Sequence, residues 1–169
     1  SFFGNFLIST GVDSSLNIWG PSENIFYKKS YKKSLAEILY FKSWRLLYVI
    51  KISKSQRTFR SLAKKLNSNF FSVSDFHGYS YLLDISFSKC FRICVLEIKH
   101  SIKGHLSEIK DCCFSTNQNS FASCGRDKNI WIWKNIFKKK IECAIILKEN
   151  QSDIKCIQWN PIYEEIISS

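Results

Sequence analysis

Apolar and polar residues alternate in short runs along most of this chain, and amphipathic stretches of helical period are scarce. Period-2 alternation between turn residues predicts strands, so the expected class is all-β. The clearest stretch is GHLSEIKDCCFSTNQNSFASCGRDKNIWIW, from Gly104 to Trp133. After Gly104-His105 it predicts a strand over Ile109–Phe114, a polar turn over Ser115–Asn119 and a small-residue strand over Phe121–Cys124. An Arg-Asp-Lys turn and an alternating strand over Asn129–Trp133 complete it. Cys143–Leu147, Ile154–Trp159 and Glu165–Ser169 read as further strands, the last two joined by the Asn160-Pro161 turn. Earlier in the chain, Ser55–Ala63, Phe70–Ser74, Tyr79–Ile85 and Cys90–Ile98 read as strands, with a turn at Asp75–Gly78.

The pattern repeats. The segment ending at Trp19 superposes without a gap on the one ending at Trp133: Ser9 falls on Ser123, Asp13 on Asp127 and Trp19 on Trp133. In both copies Ser stands four residues before Asp, and Trp six after it. Units of this kind, opening on Gly-His and closing on Trp, resemble the WD-repeat family, whose unit is about 40–45 residues. The resemblance implies an incomplete β-propeller, parts of about four blades of a seven-bladed parent. Its parts are the end of a blade (1–20), a segment fitting no blade template (21–54), a degenerate blade (55–100), the best-preserved blade (101–147) and the start of another (148–169). Asp13 and Asp127 are about 25 residues further apart than two such units require. The surplus is placed in Ser22–Ser53, either an inserted loop with a short helix over Ser34–Tyr40 or a sequence artefact such as unspliced intron.

Composition narrows the setting. Of 169 residues, 45% are hydrophobic and 15% aromatic, which suits a globular chain. There is no methionine, so the chain reads as a piece of a longer protein. No apolar run reaches the ~18 residues of a membrane-spanning helix; the longest candidate, Trp44–Ile52, is broken by Arg45 and Lys51. Net charge is +11. That value admits a nucleic-acid surface, but the basic residues form only modest clusters at Lys28–Lys33, Lys64–Lys65 and Lys138–Lys140. A proteome-wide bias toward Lys, Asn, Ile, Phe and Ser accounts for it better. The seven cysteines (Cys90, Cys94, Cys112, Cys113, Cys124, Cys143, Cys156) are odd in number, mostly in strand-like runs, and lack Cys-x-x-Cys spacing. With His77, His100 and His105 also off zinc spacing, buried free thiols in a reducing compartment are expected rather than a metal site.

His105, Ser123 and Asp127 invite comparison with a nucleophilic triad. The repeat argues otherwise, because Ser and Asp recur with Trp at fixed spacing, as structural elements do. A hydrogen-bonded tetrad of His105, Ser123, Asp127 and Trp133 is expected, with Ser9, Asp13 and Trp19 as its counterparts near the start of the chain. Asn150 stands where the following unit would carry histidine. Arg126, immediately before Asp127, is expected to project onto the face that carries many contacts in such propellers, a fit anchor for acidic groups. The starts of the inner strands reach the same face, which adds Arg57, Arg60, Glu108, Lys110, Asp153 and Lys155 as candidate partner contacts.

A narrower resemblance rests on Arg126-Asp127-Lys128, Ile141-Glu142-Cys143, Asp153-Ile154-Lys155 and Trp159-Asn160-Pro161, in that order. Ser55–Ser61 (SQRTFRS) and Ser9–Gly20 add to it. Together they resemble the WD-repeat proteins of cytosolic iron–sulfur cluster assembly. Lys64-Lys65-Leu66 departs from the Trp-Ser-Pro-like turn of that family. The resemblance implies a non-catalytic scaffold without a cofactor of its own, cytoplasmic and also nuclear. Its partners would be proteins of the iron–sulfur targeting complex, not a membrane, a nucleic acid or a small-molecule substrate. Three other readings stand beside it: a different WD scaffold (chromatin, ribosome assembly or ubiquitin ligation), a basic RNA-binding propeller, and a hydrolase built on Ser123.

Overall fold

The structure, a computed structural model, describes residues 6–21, 44–52, 58–66, 68–87, 94–117, 119–136, 140–160, 162 and 165–169. Among these, every regular element is a strand. The first sheet holds β1 (Leu7–Thr10), β2 (Ser15–Pro21) and β3 (Trp44–Lys51). The second runs β4 (Phe59–Lys64), β5 (Phe70–Asp75), β6 (Tyr79–Phe87) and β7 (Cys94–Lys103). The third runs β8 (Ile109–Phe114), β9 (Ser120–Gly125), β10 (Ile130–Lys134) and β11 (Glu142–Leu147). A two-stranded sheet of β12 (Ile157–Trp159) and β13 (Ile166–Ser168) follows. All neighbours are antiparallel and consecutive in sequence, so each sheet is a simple meander.

Two elements depart from the sequence reading. Trp44–Lys51, assigned there to a segment without a blade pattern, is β3 and pairs with β2 along its length. Its apolar run hides the alternation, and the register shifts where Leu47 is inserted between Leu46 and Tyr48. β7 ends at Lys103, five residues later than expected, because pairing with β6 continues to Tyr79↔Lys103 past a similar shift. The helix expected over Ser34–Tyr40 lies outside the described residues.

Sheets pack face to face, with β4 against β8 and β8 against β12. The innermost strands therefore stand side by side while the meanders radiate outward. Core residues collect in layers between sheets. Leu16, Ile52, Phe59, Val73, Tyr81 and Leu83 fill the seam between the first and second sheets. Phe70, Leu82, Ile102, Cys112, Phe121, Trp133 and Ile136 fill the next seam. Ala122, Cys124, Ile130, Ile154 and Ile157 fill the third. Burying each large side chain stabilises by about 1.5–3 kcal/mol, so the seams supply the main cohesion.

Each of the first three sheets carries the same turn, between β1 and β2, between β5 and β6, and between β9 and β10. Ser14, Gly78 and Lys128 occupy the same place with φ of 59°, 83° and 64°. Each donates its N–H to the carbonyl three residues back, on Gly11, Asp75 and Gly125. These turns set a common register: Val12, Phe76 and Arg126 sit at the tips, and Asp13, His77 and Asp127 follow them. By the same register Ser9, Val73 and Ser123 correspond, as do Trp19, Leu83 and Trp133.

Candidate functional site

The third sheet gathers its polar residues at the end where the β9–β10 turn meets the loop before β8. Trp133 Nε1–H donates to Ser123 Oγ at 3.3 Å. Ser123 Oγ lies 2.8 Å from His105 Nε2, and His105 Nδ1 lies 2.9 and 3.0 Å from the two oxygens of Asp127. Burial pushes the His105 imidazole below its ordinary pKa against the opposing pull of Asp127, so the ring is neutral at pH 7. Nδ1–H then donates to Asp127, which leaves Nε2 to accept the Ser123 hydroxyl proton. The chain of bonds is directed, Trp133 to Ser123 to His105 to Asp127. Asp127 also accepts the backbone N–H groups of Leu106 and Asn129, both at 3.3 Å.

This Ser–His–carboxylate order matches a hydrolytic triad in connectivity. Ser123 and His105 are each only 1% exposed, however, and the Trp133 indole occupies the far side of Oγ. No carbonyl can reach that oxygen. Gly104 explains the Gly-His pair: a Cβ there would stand 2.5 Å from Trp133 Cζ2 and 3.0 Å from Trp131 Cε3. The two indoles stack at 5.4 Å, with His105 tilted 5.7 Å from Trp131.

Near the start of the chain the described residues repeat the Trp–Ser part of this arrangement. Trp19 Nε1–H donates to Ser9 Oγ at 2.9 Å, whereas Asp13 turns to Ser15, accepting its hydroxyl at 2.7 Å and its N–H at 3.3 Å. Those bonds hold the exposed Asp13 carboxyl below its usual pKa. The second sheet replaces the polar pair altogether with Val73 and Leu83, both fully buried. Its buried carboxylate is Asp75, two residues upstream, which accepts N–H bonds from His77 and Tyr79 at 2.9 and 3.0 Å and the Tyr81 hydroxyl at 3.3 Å.

Arg126 is exposed at the tip beside Asp127, with its N–H on Glu108 O at 2.9 Å. Glu108 itself is only 3% exposed. Arg60 Nε reaches its Oε1 and Lys110 Nζ its Oε2, each at 2.6 Å, so this carboxylate joins the second and third sheets. From sequence it is a surface contact; here it is an internal staple, because the loop before β8 turns it inward between two cations. Arg60, Lys110 and Lys155 occupy one register position of β4, β8 and the segment entering β12. Asp153 is half-buried and Lys155 exposed, while Arg57 lies outside the described residues.

Asp111, which the sequence did not single out, joins three sheets. Its Oδ1 accepts Ser61 Oγ at 2.9 Å and Cys112 N–H at 2.8 Å, and its Oδ2 accepts Ile157 N–H at 3.1 Å. The only available signal was its place in register with Ser61 and Cys156 at inner-strand starts. The described cysteines are free thiols; Cys112 and Cys124 are buried, whereas Cys143 and Cys156 are exposed. Burial raises the pKa of Cys113 to about 12 and that of Cys124 further still, so neither is a thiolate at neutral pH. Among the described residues no three His, Cys, Asp or Glu side chains are grouped to hold a metal ion, and no helix is long and apolar enough to cross a membrane.

Residues 96–134 match the family described as "WD domain, G-beta repeat". A probable cytosolic iron-sulfur protein assembly protein 1 from Botryotinia fuckeliana is 39% identical over 61 residues, 34% of this chain and 14% of that protein. The protein of the same description from Malassezia globosa is 53% identical over 34 residues, 20% of this chain and 10% of that protein. The chain thus spans a small part of the length of the curated relatives it matches. Among solved structures, a chain of the mitotic checkpoint complex superposes with a TM-score of 0.68 at 16% identity, over 98% of this chain and 40% of that one. Residues 96–134 thus match a WD repeat, and the chain as a whole has the fold of the superposed chain, built as consecutive antiparallel blades.

Proposed function

We propose that this chain is part of a non-catalytic scaffold of cytosolic iron–sulfur cluster assembly. It would hold protein partners that pass clusters to cytosolic and nuclear apoproteins. The observation that carries the reading is the similarity to cytosolic iron-sulfur protein assembly proteins over a stretch of 61 residues. The geometry supports a contact role for the end of the molecule where Asp127 lies. Asp127 is anchored by His105 and two backbone N–H groups, so Arg126 is presented on a rigid turn. With the backbone beneath it already fixed, this guanidinium can bind a carboxylate without further ordering of the turn. Lys155 and Asp153 flank it as lesser contacts, and Arg60 and Lys110 contribute the cationic capacity that Glu108 leaves. Function would be cytoplasmic, with nuclear apoproteins as clients.

The test is affinity capture with the full-length protein, wild type against Arg126→Glu, read by mass spectrometry. Iron–sulfur targeting factors enriched with the wild type and lost with the variant support both the pathway and the face. Enrichment of histones, ribosomal proteins or ligase subunits instead keeps the propeller and removes the iron–sulfur assignment. Binding of RNA that weakens steeply with salt would favour the basic-propeller reading.

A further inference from the structure

At the end of the blades away from Asp127, the seam between the second and third sheets opens into a cavity of about 380 Å³. Its floor is core: Phe70 and Ile136, both members of the layer that fills that seam. Its walls are Asn69 from the β4–β5 turn, Asp84 from β6, and Lys99 and His100 from β7. This volume lies at the low end of the ~300–1,000 Å³ of small-ligand sites, and the combination of an apolar floor with a few polar walls is typical of them.

The walls are specific to this blade. Opposite Leu82 and Leu83, β7 carries one extra residue, Lys99, between Ile98 and His100. A bulge of this kind re-aims side chains, and here Lys99 and His100 both line the cavity. The first and third sheets have the same insertion in β3 and β11, but the equivalent pairs are Leu47-Tyr48 and Ala144-Ile145. Asp84 is matched by Gly20 and Lys134. The bulge recurs in all three sheets, and among the described residues the second sheet is the one that places a lysine and a histidine there.

The charges determine what fits. Lys99 Nζ already bonds Glu97 at 2.6 Å, and Glu97, with Asp84 nearby, holds it above the usual lysine pKa. Glu97, which faces Asp84 across the strand pair and stands outside the lining, engages Lys99, so Asp84 is the carboxylate left for a cationic ligand. Among the described residues, no group donates a hydrogen bond to Asp84, and neither Asn69 nor His100 has a side-chain hydrogen bond. A ligand that brings several donors for Asp84, the Asn69 carbonyl and the His100 acceptor nitrogen, with an apolar stem for the floor, suits this lining. Arginine does both, because its planar guanidinium offers five N–H donors and its three methylenes pack on Phe70 and Ile136. A lysine ammonium is compact and strongly hydrated, and serves one acceptor well rather than three.

We infer that this cleft receives an arginine side chain from a protein partner. The site is independent of the Arg126 face and of the iron–sulfur reading. The test uses the isotope-labelled full-length protein titrated with N-acetyl-arginine amide, with N-acetyl-citrulline amide as a neutral probe of the same shape. Saturable amide shifts confined to Asn69, Asp84, Lys99, His100 and Ile136 are expected with arginine and not with citrulline. Asp84→Asn, a half-exposed isosteric change, should weaken binding about tenfold or more while leaving the thermal melt unchanged. His100→Ala should weaken it less. Equal binding of citrulline, unchanged affinity in Asp84→Asn, or no saturation overturns the proposal. Tighter binding of free arginine than of the blocked amide overturns the assignment to a peptide side chain.

Discussion

The second and third blades reach the same shape by different chemistry. In β8–β11 a tryptophan, a serine, a histidine and an aspartate are joined by a directed set of hydrogen bonds. In β4–β7 the places of Ser123 and Trp133 are taken by Val73 and Leu83, and a displaced carboxylate, Asp75, accepts from two N–H groups and Tyr81. Replacing both partners of a buried hydrogen bond by apolar groups is nearly neutral, whereas removing one is costly. A blade can therefore lose the Ser–Trp pair together, as the second has, more cheaply than it can lose either member alone. The difference also affects the surface, since the third blade ties its turn tip and its preceding loop to one carboxylate.

The most severe way to break the comparison is Trp133→Ala. Trp133 belongs to the core between the two blades as well as to the polar chain, so a loss of about 3–5 kcal/mol is expected in urea unfolding of the full-length protein. Ser123→Ala should cost about 1–3 kcal/mol, because it leaves both the Trp133 indole N–H and His105 Nε2 buried without a partner. The reverse change, Val73→Ser, should also destabilise, by about 1–3 kcal/mol, since it buries a hydroxyl among apolar neighbours. If Val73→Ser is neutral, the two blades are not alternatives of one design.

Protonation sharpens the same contrast more gently. The His105 pKa is lowered on folding, so the unfolded chain binds the proton more readily. This contribution is complete above the unfolded value of about 6.5 and is lost as pH falls below it. Unfolding midpoints at pH 7.5 and 5.5 should show the loss in wild type, and His105→Phe should reduce it. The smallest expected effect on stability is that of Arg126→Glu, within about 0.5 kcal/mol, although this variant should lose partner capture.

Legibility from sequence follows this chemistry. The third blade could be read because each polar group needs a particular residue: glycine under the Trp133 ring, histidine between Ser123 and Asp127. The first-blade ending shared enough of that code, in Ser9, Asp13 and Trp19, to be aligned. The second blade could be recognised only as strands, because any apolar residues of the right size can fill Val73 and Leu83. β3 escaped notice because a bulge at Leu47 breaks its alternation. Glu108 was misplaced on the surface because its burial depends on Arg60, contributed by another sheet. Asp111 and the Asp84 cleft carry no local motif at all; both arise from register between sheets.

Asp111 has a consequence for how the protein is made. Ser61 has already left the ribosome when Asp111 emerges, but the N–H that completes its second oxygen belongs to Ile157, forty-six positions further on. At bacterial-to-eukaryotic elongation rates of about 5–20 residues per second, that interval is on the order of seconds. Throughout it the newest blade presents a half-satisfied carboxylate at its leading joint. This blade is thus finished by the one translated after it, and a pause in synthesis between Asp111 and Ile157 would leave the nascent chain open at that joint.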